Sequence, residues 1–268
     1  MDLGIAERTA IVTGSAQGFG KAIAACLIEE GVNVTLADRS GLDAAVQDLE
    51  GGIGDVYPVK VDLTDDAGVE ALVDETVEVF GGVDILVNNA GMLGSDETFH
   101  DVPLANWREV FDLNVFGIVR ATQAVLPHMR SQEWGRIVNI ASEAGVQPDD
   151  YKPQYDASKA AVINLTKNLS KVYSKEGVLV NAVSPATSNT PLVTELFDRR
   201  AKTEGKTVEE CRAEFIEREK PGMVQGIQRL GEPAEIADVV AFLCSDRASW
   251  VTGSNYRVDG GSISVMDT

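Results

Sequence analysis

Tyr155 and Lys159 stand four residues apart in PQYDASKAAV, Ser142 ends the run RIVNIAS upstream, and a glycine-rich stretch, TGSAQGFG, occupies positions 13–20. On a helix, residues i and i+4 share a face, so a helix opening near Pro153 would present Tyr155 and Lys159 side by side. A free phenol titrates near ~10 and is a poor base at neutral pH. An ammonium about 5 Å away, at an effective dielectric of about 20, would favour the phenolate by roughly 3 kcal/mol, or about two pKa units. Burial alone pushes the other way, so the cation is the necessary partner. Such a pair is by itself an ordinary helix-surface pair, and a lone serine means nothing. The chemistry becomes specific only in company.

The glycine-rich stretch supplies that company. Gly14, Gly18 and Gly20 lie between an apolar run, TAIVT, and a helical one, KAIAACLIEEG. A glycine turn between a strand and a helix lets backbone approach a pyrophosphate and aims free helix N–H groups at it. Three glycines in a loop can also simply make a turn; the flanking elements favour the dinucleotide. Asp38 ends the next apolar run, where a carboxylate accepts the adenosine ribose hydroxyls and repels a 2′-phosphate. Arg39 follows at once and could bind that phosphate instead. The carboxylate holds the strand-end position itself, so the expected cofactor is NAD, with NADP the alternative. Asp38 as a helix cap is the bland reading.

The spacing Gly-x-x-x-Gly-x-Gly, with Thr13 before it and NNAG at 88–91, resembles the short-chain dehydrogenase/reductase family over nearly the whole chain. The resemblance implies a single doubly wound Rossmann domain and an NAD(P)-dependent enzyme acting on a secondary alcohol or its ketone. It implies that Tyr155 is the general base or acid, that Lys159 lowers the Tyr155 pKa and holds the nicotinamide ribose, and that Ser142 hydrogen-bonds the reacting oxygen. Asn114 in DLNVFG matches the asparagine that supports a water-mediated proton relay to the lysine. Gln17 and Phe19 in the turn, Asp62 and Leu63 near the adenine, Asn89, Ala90 and Gly91 beside the adenosine, and Pro185, Ser188 and Thr190 near the nicotinamide complete the implied cofactor site. One position departs: Ala186 follows Pro185 where the family usually has glycine. If that glycine requires a positive φ, the backbone at 186–189 must shift.

The elements that must position these groups are legible as alternation. Short runs rich in Val and Ile at 9–13, 33–37, 56–61, 83–88, 136–141 and 178–183 read as buried strands, and SNYRVDGG adds a seventh. Helical patterns near 18–30, 41–50, 66–80, 104–131 and 154–175 separate them. This order predicts an α/β fold: a doubly wound parallel sheet with helices on both faces. The 268 residues fit one domain, 1–268. Residues 191–222 are dense in charge of both signs yet carry Phe197, Phe215 and Ile216. A solvated helix pair would look like this; their place after the sixth strand argues for a lid over the substrate.

With 23 basic and 42 acidic side chains the net charge is −19, which repels phosphate backbones and anionic headgroups. Nucleic acid and membrane partners are not expected. A salt-adapted source would explain the charge; an ordinary acidic cytoplasmic enzyme does so more simply. No basic-then-apolar leader pattern and no membrane-length apolar run occur. Cys26, Cys211 and Cys244 lack metal-ligand spacing; Cys26 and Cys244 read as buried thiols and Cys211, among charges, as exposed. His100 and His128 have no serine or carboxylate arrangement around them, although His100 could reach the pocket mouth. No metal is expected.

Met92, Leu93, Asp96, Glu143, Val146, Gln147, Leu192 and Phe197 are the expected pocket walls. Apolar surface with acidic points disfavours an anionic acyl-phosphopantetheine and fits a neutral secondary alcohol, cyclic diol or polyol. The alternatives are an NADPH-dependent ketone or 3-oxoacyl reductase and, in another class, a catalytically silent NAD-binding regulatory protein. An epimerase would need a larger C-terminal substrate domain. The small-molecule enzyme is expected to be a homotetramer, joined through the apolar faces of 104–131 and 154–175 and the last strand.

Overall fold

Alternating side chains on the inner strands of the sheet are buried on opposite faces, and the two layers of helices follow from that. The computed structural model describes residues 2–217 and 226–263. Its strands are β1 (Thr9–Thr13), β2 (Asn33–Asp38), β3 (Val56–Lys60), β4 (Ile85–Asn88), β5 (Gly135–Ile140), β6 (Val178–Pro185) and β7 (Asn255–Val258). They form one parallel sheet in the order β3-β2-β1-β4-β5-β6-β7. The order reverses direction between β1 and β4, where a crevice opens at the carboxyl ends of the strands.

Ala10 and Val12 of β1, Val34 and Leu36 of β2, and Val138 and Ile140 of β5 point to one face. There they meet α1 (Gly18–Glu29), α2 (Leu42–Leu49) and α9 (Pro233–Cys244). Ile11, Ala37, Leu86, Ile137 and Val180, the intervening residues, point to the other face against α3 (Asp66–Phe80) and α5 (Gly117–Ser131). There α6 (Pro153–Tyr173) contributes Val162 beside Ala141 and Ala182. Both faces are covered, which is why the strands read as continuous apolar runs. The expected doubly wound fold is the one observed.

The predicted helix at 104–131 is two helices, α4 (Leu104–Phe111) and α5, joined without a break by a π turn over Asp112–Phe116. The extra residue keeps the helix running while changing which side chains face inward, and it turns Asn114 into the protein. After β6, α7 (Pro191–Glu204) and α8 (Val208–Glu217) form a pair with a small core of Phe197, Ala201, Cys211 and Leu230. Cys211 is therefore buried, not exposed: Glu209 and Glu210 before it face solvent, while the thiol lies in the α7–α8 core. Cys244 is buried as expected, whereas Cys26 is only partly so. Residues 218–222 of the predicted 191–222 segment lie outside the described residues. Among the described residues no helix is long and apolar enough to cross a membrane.

Candidate active site

The carboxyl ends of β1 and β4 are stitched together by side chains of the two motifs. Thr13 Oγ1 accepts from the N–H groups of Asn89 (3.0 Å) and Ala90 (3.1 Å), and Asn89 Nδ2 donates to the carbonyls of Thr13 and Gly14, each at 2.9 Å. Gly20 is packed so closely on this knot that an added Cβ would lie 2.2 Å from the Gly14 carbonyl oxygen. Gly14 and Gly18 have φ of +64° and +58°. Gln17 stands at the N-cap of α1 without a side-chain hydrogen bond to the helix, so the first-turn N–H groups are free to face an anion. A cradle of this shape fits a dinucleotide pyrophosphate.

Asp38 lies at the end of β2, with one oxygen accepting from Ala16 N–H (3.0 Å) and the other from Arg39 N–H (2.7 Å). The Arg39 guanidinium is exposed, 3.9 Å from Asp62. Hydrogen bonds from Thr64, first the backbone N–H and then the hydroxyl, hold Asp62 below the usual carboxylate range. Leu63 buries its side chain in the core, so only its backbone is available at this edge.

The second half of the site is a cleft of about 310 Å³. Gln17, Gly18 and Phe19 line one part, Asn89 and Gly91 another, and Ser142, Tyr155 and Lys159 a third. Pro185, Ser188 and Thr190 close it beside β6, Thr190 also accepting from Val193 N–H as the N-cap of α7. Ala186, the departure from the family pattern, is not among the residues with positive φ, and its N–H meets the Val258 carbonyl at 3.3 Å. An alanine fits there without left-handed strain.

Ser142 caps the short turn after β5, accepting from Ala144 N–H at 3.2 Å, and is hydrogen-bonded to Tyr155. Pro153 begins α6 and places Tyr155 and Lys159 one turn apart, with Lys159 Nζ 5.7 Å from the Tyr155 ring centre. Lys159 Nζ donates to the Ile140 carbonyl at 2.7 Å, and burial lowers its pKa to about 8. Asn114 exchanges two hydrogen bonds with the Met92 backbone and donates a third to Ser158 Oγ. It thereby ties the strand β4 loop to α6 just behind Lys159.

The electrostatics differ from the sequence expectation. Burial pushes the Tyr155 phenol above its ordinary range; the Ser142 hydrogen bond and the Lys152 ammonium oppose this, while Asp156 and Glu143 add to it. Lys159 was expected to supply the lowering cation, but it is itself buried, and its ammonium donates a hydrogen bond to the Ile140 carbonyl. Glu143 and Lys152 both line the cleft. Burial pushes the Glu143 carboxyl up to about 7 despite a short hydrogen bond from Ser262. Lys152 pairs with Asp149 at 3.1 Å.

The walls are partly those expected. Met92, Leu93, Glu143 and Leu192 line the cleft; Asp96, Val146, Gln147 and Phe197 do not. Phe197 is consumed by the α7–α8 core, and Leu196 and Phe215 take its place. His100 is exposed in a loop away from the cleft. Lys152, Asp149 and Ser262 were not anticipated; Lys152 stands three residues before Tyr155, a spacing that was a readable signal.

Across residues 8–201 the chain matches the model of the short chain dehydrogenase family. The chain belongs to that family. This short-chain dehydrogenase is 36% identical over 262 residues to cis-4-hydroxycyclohexanecarboxylate dehydrogenase of Sinomonas cyclohexanicum, covering 97% of this chain and 98% of the relative. It is 34% identical to the 3-oxoacyl-[acyl-carrier-protein] reductase FabG of Thermotoga maritima, covering 96% and 98%. A crystal structure of L-sorbose reductase from Gluconobacter frateurii, complexed with NADPH and L-sorbose, superposes with a TM-score of 0.93 at 35% identity, covering 99% of this chain and all of that one. This short-chain dehydrogenase is an oxidoreductase of the alcohol and ketone class, using a nicotinamide dinucleotide.

Proposed function

We propose that the enzyme oxidises a neutral secondary alcohol, a cyclic diol or polyol, with NAD, and reduces the corresponding ketone in reverse. The observation that carries this reading is that one cleft holds the N-terminus of α1 and the Ser142, Tyr155 and Lys159 side chains together in its walls. Asp38 supports NAD, because its carboxylate ends β2 beside the glycine turn and would repel a 2′-phosphate.

Bound NAD supplies the acceptor for the hydride of the alcohol carbon, and its positive nicotinamide favours anions nearby. The protein handles the proton. Ser142 Oγ donates a hydrogen bond to the alcohol oxygen and fixes it against Tyr155; the O–H proton passes to the Tyr155 oxygen as the C–O bond becomes a carbonyl. Lys159 offers its ammonium to the ribose side of the cleft and Asn114 holds the loop beside it. Glu143 and Asp149 give the cleft acceptors for further hydroxyls of a diol or polyol. Leu192 and Leu196, partly exposed on α7, turn apolar surface to the cleft and suit α7–α8 to act as a lid over the substrate.

A second reading, NADP dependence, rests on the exposed Arg39 guanidinium and on the NADPH bound by the L-sorbose reductase. Exposed Leu104, Phe116 and Val172 on α4, the π turn and α6 suit the tetramer expected from the family. Reduced-nicotinamide absorbance with NAD and with NADP, over secondary alcohols, cyclic diols and sugars, tests the proposal. Turnover with NAD on cyclic diols or polyols is the expected result; turnover with NADP alone would overturn the cofactor assignment.

A further inference from the structure

Two lysines, not one, approach the Tyr155 ring at nearly the same distance. Lys152 Nζ lies 5.6 Å from its centre and Lys159 Nζ 5.7 Å. Lys152 lines the same cleft and has only 15% of its side chain exposed. Its backbone is also unusual. Lys152 is the N-cap of α6 at φ 58° and ψ 41°, a left-handed conformation that non-glycine residues rarely adopt, and Pro153 follows it. The conformation is locked: Lys152 N–H meets the Glu97 carbonyl at 3.0 Å, and the Lys152 carbonyl accepts from the N–H groups of Tyr155 (3.0 Å) and Asp156 (3.2 Å). The strained backbone thus aims a lysine side chain into the site that already contains the phenol.

We propose that Lys152 is a second electrostatic positioning residue for Tyr155, stabilising its phenolate and so setting the pH at which alcohol oxidation begins. This rests on the reading of Tyr155 as the base. The two lysines are suited to different conditions. Burial brings Lys159 down to about 8, so it sheds its charge in the alkaline range where a phenolate base works best. Burial acts against the Lys152 ammonium too, but Tyr151, Asp149 and Tyr155 outweigh it and hold the group above the ordinary lysine range. Lys152 therefore remains a cation where Lys159 does not.

The charges that face the phenol come from three segments. Lys152, Asp156 and Lys159 belong to α6 or its cap, Glu143 to the turn after β5, and Asp149 with Tyr151 to the loop between. Ser142 completes the set as a neutral hydrogen-bonding partner. Asp149, paired with Lys152, neutralises part of its field. A cation roughly 6 Å away at an effective dielectric of about 20 shifts a pKa by about two units, and the Asp149 anion reduces this to about one.

The test is an ultraviolet difference titration of the phenolate, with Tyr155→Phe as the blank for the other four tyrosines. Lys152→Met should raise the Tyr155 midpoint by about one pH unit, Lys152→Arg should keep the wild-type midpoint, and Asp149→Asn should lower it. The rise of kcat/KM with pH, measured on the best alcohol of the panel, should move in step. Asp149→Asn leaves Lys152 in place, so the coupling is read even if Lys152→Met fails to fold. Unmoved midpoints in Lys152→Met and Asp149→Asn, with turnover lost in Tyr155→Phe, overturn the inference and leave the base assignment standing. Retained turnover in Tyr155→Phe overturns both.

Discussion

Gly20→Ala isolates the packing on which the dinucleotide cradle depends. A Cβ at this position would lie 2.2 Å from the Gly14 carbonyl oxygen, 2.8 Å from its carbon and 2.5 Å from Asn89 Nδ2. An ordinary contact needs more than a further ångström, so either the turn lifts off β1 or Asn89 gives up its 2.9 Å bond to the Gly14 carbonyl. Overpacking of this kind costs about 1–3 kcal/mol, and the lost hydrogen bond about 1 kcal/mol more. Alanine returns up to about 1 kcal/mol through its better helix propensity. The net loss is about 1–4 kcal/mol, which lowers Tm by about 2–16 °C in a chain of this size. Calorimetry should show NAD binding weakened about tenfold or more, a loss of about 1.4 kcal/mol. Gly18→Ala is the comparison: it carries a positive φ, but its nearest atoms are 3.8 Å away on Thr190, so it costs only the left-handed strain of about 1–2 kcal/mol. A Gly20→Ala protein with unchanged or higher Tm would refute the reasoning, because propensity alone predicts that direction.

Asp38→Asn keeps the shape of the carboxylate and removes its charge; we expect NAD kcat/KM to fall about 10–100-fold, the loss of about 1.5–3 kcal/mol of charged hydrogen bonding, and the NADP rate to rise relative to it. Steady-state kinetics with both cofactors checks this, and an unchanged ratio would count against the ribose role of Asp38. Glu143 has its carboxyl raised from 4.5 to about 7 by burial. The folded state therefore favours the protonated form, a contribution fully present below about pH 4.5 and lost as pH rises through about 7. Glu143→Gln should accordingly be more stable than wild type near pH 8, by at most about 3 kcal/mol, with the gap closing in thermal melts as pH falls from about 7 to about 4.5.

The sheet was readable because its chemistry is repetitive. The inner strands β1, β2, β4, β5 and β6 are buried on both faces over most of their length and are therefore spelled as apolar runs, whereas β3 at the sheet edge is largely uncovered, and the glycine turn and NNAG fall at strand ends where periodicity stops. The positions of Ser142, Tyr155 and Lys159 followed from the same logic, since a strand end and an i, i+4 pair both bring groups to one crevice. Other features depend on facts that spacing does not carry. The π turn at Asp112–Phe116 leaves the helical pattern intact while rotating Asn114 inward. Cys211 sits among charges in the chain yet points into the α7–α8 core, and Phe197 is drawn into that core rather than into the cleft. The fields on Tyr155 depend on where ammonium groups end up: Lys159 turns to the Ile140 carbonyl, and Lys152, a single lysine before a proline, arrives through a left-handed backbone.

Tyr155→Phe is the most direct test of the central claim, because it removes one oxygen from the cleft and leaves the glycine turn, Asp38 and Asn89 untouched. NAD affinity by calorimetry and NADH formation on the best alcohol should be measured on the same preparation. The account predicts wild-type NAD affinity with turnover reduced by about 10²-fold or more, the scale of a lost general base. Turnover within a few-fold of wild type, with NAD still bound, would contradict it.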